Sequence, residues 1–266
     1  MTGSVVGTSG IAALFQGSAR YVPATPWGAL SALTVTVLAC LASLAAPFVI
    51  VILVPVLGDP DAAIDGTVMS MASLATPIGL LTALLSQLIS LAVVWWAAGR
   101  GGLRRDVLRL GAPKPGWGAC VLAGLLVVAA SGALELAMYL AVGFDPFADA
   151  KWLTEGLRSP LWWGTVLVAI VLAPLWEELA FRGFLLSALA QSRLGFAGGA
   201  LIANMLWTLL HLGYSYPGLA SVFVAGLLMA WLMWRTGSMR TVVVAHAVAN
   251  ASSLAFTYSF APVSPA

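Results

Sequence analysis

The chain holds two histidines, and each stands in an apolar stretch with a polar partner at helical spacing. His211 closes the run Trp207-Thr208-Leu209-Leu210-His211, and His246 opens His246-Ala247-Val248-Ala249-Asn250. A third run, Glu177-Glu178-Leu179-Ala180-Phe181-Arg182, sets adjacent carboxylates in another hydrophobic segment. Ionisable groups at membrane depth are expensive and by default mark function. A carboxylate and a histidine can together draw a proton from water, and a His/Asn pair can donate to a developing oxyanion.

Spacing sorts the residues into roles. Glu178 and Arg182 are four apart, on one helix face and in the favourable order for an ion pair. Glu177 then points about 100° away, free to act. Two neighbouring carboxylates in an apolar medium cannot both ionise cheaply, so one structural and one base-like glutamate are expected. His211 follows Asn204 by two helical turns, which lets both face one groove. His246 and Asn250 share a face, as interhelical polar glue or as two donors aimed at one point. Glu135, a solitary carboxylate, receives no role.

The elements that must position these residues are membrane helices. The chain is 61% hydrophobic and 8% charged, against about 25% charged in a soluble domain. An all-α, polytopic membrane protein with an intramembrane polar cavity is expected. A span needs about 20 apolar residues, and seven stretches qualify: 28–57, 67–98, 117–143, 161–190, 196–213, 218–234 and 240–260. Pro77 and Pro174 fall inside the second and fourth and should kink them or end a turn there. Residues 1–27 read as a short cytoplasmic leader, 28–266 as the membrane domain. Trp95, Trp96, Trp162, Trp163, Trp231 and Trp234 fall near predicted helix ends, as an aromatic belt does.

Loop charges orient the bundle. Residues 99–116 carry Arg100, Arg104, Arg105, Arg109 and Lys114 against Asp106, whereas 58–66 carry Asp59, Asp61 and Asp65. The positive-inside rule puts the first loop in the cytoplasm, together with Arg193, Arg235, Arg240 and the N-terminus. A net charge of +2 with no basic, aromatic-laced soluble segment excludes nucleic acid as a partner. Cys40 and Cys120 stand in no metal or redox spacing. Counted at about 1.5 Å per residue from the cytoplasmic ends, Glu177 and His211 lie roughly 20–25 Å deep and His246 nearer ~10 Å. Tilt, a kink at Pro174 or shifted helix ends must reconcile them.

The three motifs in this order, Glu177-Glu178-x-x-x-Arg182, Trp207-x-x-x-His211 and His246-x-x-x-Asn250, resemble the CPBP intramembrane proteases. That group includes the type II CAAX prenyl endopeptidases and the bacterial Abi proteins. The resemblance covers about 160–255 and implies an intramembrane endopeptidase of the bacterial cytoplasmic membrane. It implies that Glu177 and His211 activate water, that His246 and Asn250 hold the oxyanion, and that Glu178 and Arg182 support them. Asn204 and Trp207 join the supporting set, Trp207 standing where the family usually has Phe.

The expected partners are a peptide or membrane-protein substrate and the lipid bilayer. No cofactor is expected; the alternative is zinc held by Glu177, His211 and His246, three ligands with one open position. Against it, the chain has no H-E-x-x-H run, and Asn250 suits an oxyanion better than a metal. Two rival functions differ in class: a non-catalytic immunity or scaffold protein, and a proton-coupled transporter. The second should show two related halves, and no such repeat is visible in the sequence.

Overall fold

The structure, a computed structural model, describes residues 12–15, 21–57, 73–113, 116–143, 145 and 147–261. Asp59, Asp61, Asp65 and Lys114, which entered the charge argument, lie outside the described residues, as does most of the leader. A chain this apolar has no water to satisfy its backbone within the bilayer, so its long stretches bond internally as helices. Seven long helices result among the described residues: α1 (Ala29–Leu57), α2 (Pro77–Ala98), α3 (Trp117–Val142), α4 (Trp162–Gln191), α5 (Gly195–Leu209), α6 (Tyr216–Thr236) and α7 (Met239–Phe260). Helices α2, α3, α4 and α6 are long and apolar enough to cross a membrane by length and composition. The protein is an all-α, polytopic integral membrane protein.

Three sequence expectations need correction. The second span starts at Pro77 rather than inside a helix from 67, and residues 67–72 lie outside the described residues. Thr76 caps that helix, its Oγ1 accepting from Gly79 N at 3.0 Å, and Pro77 occupies the first turn, where its missing N–H costs nothing. Pro77 therefore kinks nothing. The fifth helix ends at Leu209, not 213, so His211 sits in the turn that follows. Helix α6 begins earlier than 218, at Tyr216, because Ser215 caps it through Gly218 N at 3.2 Å.

Helix α4 is the centre of the bundle. It runs unbroken through Pro174, but with wider π-helical turns over Leu167–Leu172 and Leu179–Leu185, on either side of the segment Ala173–Glu178 that bears both carboxylates. Every residue from Leu179 to Leu185 is buried, against α1, α2, α5 and α7. Helices α3 and α7 pack closely because Gly124 presents no side chain: a Cβ there would collide with Val248 and the Ala245 carbonyl.

One end of the bundle is basic. Residues 21–27 bond to it, Tyr21 N to Trp234 O at 3.2 Å and Trp27 Nε1 to Ala97 O at 3.1 Å. The loop after α2 bonds to the turn before α7, Met239 N to Arg109 O at 2.9 Å and Ser238 Oγ to Gly111 O at 2.7 Å. Arg100, Arg104, Arg105, Arg109, Arg193, Arg235 and Arg240 gather there. The opposite end joins the α3–α4 connection to the α5–α6 turn and to the end of α7, where Arg158 Nη2 donates to Ala261 O at 2.9 Å.

Candidate active site

The two glutamates of α4 diverge as adjacent helical residues must. Glu178 turns inward and is 0% exposed; Glu177 is half-buried. Arg182, one helical turn on, is 1% exposed and donates from Nη1 to Glu178 Oε1 at 3.1 Å. Its Nη2 reaches Asn204 Oδ1 on α5 at 3.1 Å and Gly226 O on α6 at 3.2 Å. Asn204 Nδ2 in turn donates to Phe223 O at 2.9 Å. A buried charge pair needs its remaining polar atoms bonded: two neighbouring helices accept from Arg182, whereas Glu178 Oε2 is buried with no hydrogen-bond partner among the described residues. Gly226, which sequence reasoning passed over, makes this possible: a Cβ there would fall on Asn204 Oδ1 and 2.7 Å from Arg182 Nη2.

Trp207 stands at the meeting point of the three motifs. Its indole Nε1 donates to Glu177 Oε2 at 2.6 Å. The Arg182 guanidinium lies over its ring, 4.3 Å from the centroid. The rings of His211 and His246 meet it edge-on, with centroids 5.1 Å and 5.7 Å away. The difference in depth between the histidines is thus spanned by one buried indole, with no kink required. Asn204 does not share a groove with His211; it faces Arg182 and α6, and Trp207 takes the place beside His211.

The turn that carries His211 is built from outside its own motif. His211 Nδ1 lies 3.2 Å from Trp207 O, and its ring packs edge-on against Tyr214 at 5.3 Å. Burial, with the Glu177 and Asp149 carboxylates adding to it, pushes the Tyr214 phenol up to about 12, so at neutral pH it remains a donor. Asp149, in the α3–α4 connection, accepts from Ser215 N and Ser215 Oγ, both at 2.7 Å, and pins the turn. Neither Tyr214 nor Asp149 was assigned by sequence. Only the Tyr214-Ser215-Tyr216-Pro217-Gly218 turn signal lay near the first, and nothing local marks the second.

The third motif reaches α4 at two heights. His246 Nδ1 lies 2.8 Å from Glu178 Oε1, so the second glutamate is shared between Arg182 and a histidine. Asn250 Nδ2 donates to Ala169 O at 2.8 Å, within the first π-helical stretch. One amide hydrogen is used there, and the amide carries two. Glu135, left without a role by sequence, accepts from Ser221 Oγ at 2.7 Å and ties α3 to α6.

A zinc site would need Glu177, His211 and His246 to converge on one ion. In the structure Glu177 Oε2 is engaged by Trp207 and His246 Nδ1 by Glu178, which leaves Oε1 and Nε2 without those partners. Among the described residues, no three His, Cys, Asp or Glu side chains are grouped to hold a metal ion. As placed here, Glu177, His211 and His246 do not form a grouped three-ligand set.

Beside the cluster, an apolar groove runs between α1 and α5, lined by Val37, Cys40, Leu41, Phe181, Leu206 and Leu209 among others. Phe181, four residues after Glu177 on α4, forms part of its wall.

Comparison with known proteins agrees with the motifs. Residues 159–252 match the family described as type II CAAX prenyl endopeptidase, Rce1-like, which bears out the resemblance over that segment. An uncharacterized 24.3 kDa protein of Escherichia coli is 30% identical over 138 residues, 51% of this chain and 62% of that relative. The chain thus spans less than two thirds of the length of the relative it matches. No solved structure matches it.

Proposed function

We propose that this chain, whose residues 159–252 carry the Rce1-like endopeptidase resemblance, hydrolyses peptide bonds within the membrane by a glutamate-dependent mechanism. The observation that carries the reading is the convergence of Glu177, His211 and His246 on Trp207. Glu177 Oε2 is held by the indole, which leaves Oε1 to take a proton from a water molecule that His211 orients. The water oxygen bonds to the substrate carbonyl carbon. The C–N bond then breaks, and the proton held by Glu177 passes to the leaving amine.

The oxyanion forms opposite Glu177, and the second amide hydrogen of Asn250 is one donor for it. His246 is the other. A ring that donates through Nδ1 to the Glu178 carboxylate can donate through Nε2 only when it carries both protons. Glu178 serves catalysis by holding the His246 ring through Nδ1, and Arg182 by neutralising Glu178. The apolar groove lined by Phe181 and Leu206 suits a substrate segment as apolar as the membrane around it. The basic end faces the cytoplasm under the positive-inside rule, which puts the N-terminus inside a bacterial plasma membrane.

Comparative peptidomics of membranes containing the wild type or Glu177→Ala tests the reading. Peptide products that vanish with Glu177→Ala and with His211→Ala, while both variants insert at normal levels, are the expected result. Unchanged cleavage in either variant overturns the assignment. A cellular phenotype that survives Glu177→Ala would instead mark a scaffold or immunity role.

A further inference from the structure

The basic end contains two kinds of arginine. Arg100 stacks on Trp96 at 4.2 Å, Arg104 lies over Trp95 at 5.4 Å and donates to Trp95 O at 2.9 Å, and Arg235 lies over Trp234 at 5.4 Å. Those three belong to an aromatic and basic belt, and Trp95, Trp96 and Trp234 are all exposed. Such a belt marks headgroup level in a bilayer. Arg105 and Arg109 are placed differently: at the same end they line a cavity together with Asp106, Gly111 and Gly237.

The backbone that presents Arg109 is unusual. Arg109 has φ +55°, the only left-handed non-glycine residue among those described. For a residue with a Cβ this conformation costs about 1–2 kcal/mol, and it persists only where the surroundings enforce it. They do so here. Arg109 O accepts from Met239 N at 2.9 Å, and two residues later Gly111 O accepts from Ser238 Oγ at 2.7 Å. The Nε of Arg109 is buried and has no hydrogen-bond partner among the described residues. A guanidinium on a strained, doubly anchored loop, with a second arginine lining the same cavity, is an arrangement that suits a phosphate oxygen pair.

We propose that this cavity binds the phosphodiester of an anionic phospholipid headgroup. Two guanidiniums and the Asp106 carboxylate leave a net charge of one positive unit, which matches a singly charged phosphodiester better than a phosphate dianion. Asp106 accepts from a hydroxyl on the headgroup beyond the phosphate, as a glycerol headgroup supplies. The location agrees: the loop joins the ends of α2 and α3, both long enough to span, at the level of the tryptophan belt. Bound there, the lipid would clamp the α2–α3 loop to the α6–α7 turn. The site lies at the arginine end and does not depend on the peptidase reading.

Purified full-length protein in neutral detergent, titrated with short-chain phosphatidylglycerol, phosphatidylcholine or inorganic phosphate, tests this by thermal shift and native mass spectrometry. A saturable shift with phosphatidylglycerol alone is expected. Arg105→Gln and Arg109→Asn should each weaken it about tenfold; Asn tolerates the left-handed backbone, so the second variant keeps the loop. Arg193→Gln, at the same end but outside the cavity, should bind as the wild type does. No saturable shift, or a shift that survives both cavity variants, overturns the proposal. An equal response to inorganic phosphate overturns the lipid as its source.

Discussion

Replacing Trp207 by Phe separates shape from chemistry at the candidate site. Phe keeps an aromatic ring beneath Arg182 and against both histidines but removes the indole N–H that reaches Glu177 at 2.6 Å. A hydrogen bond to a charged acceptor contributes about 1.5–3 kcal/mol. Each ~1.4 kcal/mol of barrier is tenfold in rate, so losing a contact that orients the base predicts a fall in kcat of roughly 10- to 150-fold. That N–H is already engaged by Glu177, so KM should change by less than about twofold. The assay is steady-state cleavage in proteoliposomes of a peptide identified by the Glu177→Ala comparison, alongside thermal unfolding in detergent. The usual family residue here is Phe, so if Trp207 only fills space the change should be silent. A variant with unchanged kcat would refute the argument that the indole positions Glu177. So would a loss of activity that merely follows a loss of folded protein.

Gly226→Ala places a methyl on Asn204 Oδ1 and should break the buried Arg182 network, costing about 3–5 kcal/mol of stability; unfolding in detergent will show it, and an unchanged midpoint would refute it. Asp149→Ala removes two 2.7 Å hydrogen bonds to Ser215 and should free the His211 turn, raising amide exchange over 210–218 and lowering kcat about tenfold. Exchange that stays as slow as in the wild type would show that the turn holds without it. Exhaustive chelation should leave cleavage intact, whereas activity lost to chelation and restored by zinc would overturn the glutamate-only mechanism.

The helices were legible because a chain that is 61% hydrophobic must bond its own backbone. Their ends were less so. Thr76-Pro77 is a helix start signal in plain view, yet the apolar run preceding it reads as a longer span. The turn over 210–215 likewise ends α5 before His211, against an apolar pattern that runs on. The i,i+4 pairing of Glu178 with Arg182 could be read from spacing, because both partners share one helix. The reach of Trp207 to Glu177 could not, since thirty positions separate them and side-chain direction decides the contact. Asp149 and Gly226 were invisible for the same reason: each acts on a helix or turn far away in sequence, one by charge and one by having no side chain.

Pro174 shows how the first and third motifs are mechanically joined. Ala173 N bonds to Val168 O, five residues back, in the wider register of the π-helical turn. The next bond in that register would run from residue 174 to Ala169 O, but proline has no N–H to give. The Ala169 carbonyl is instead satisfied by Asn250 Nδ2 at 2.8 Å. Pro174, three residues before Glu177, would otherwise leave the Ala169 carbonyl orphaned in an apolar bundle, and that carbonyl is the acceptor that fixes Asn250. The wider turn also relieves the clash of the proline ring with the preceding turn, which is why the helix passes through Pro174 without breaking. One hydrogen of the Asn250 amide thus holds α7 to the gap that Pro174 opens, and the other stays free for the oxyanion role proposed for it. Under that proposal, base and oxyanion donor are both tied to one local feature of α4, the π-helical turn that ends at Pro174.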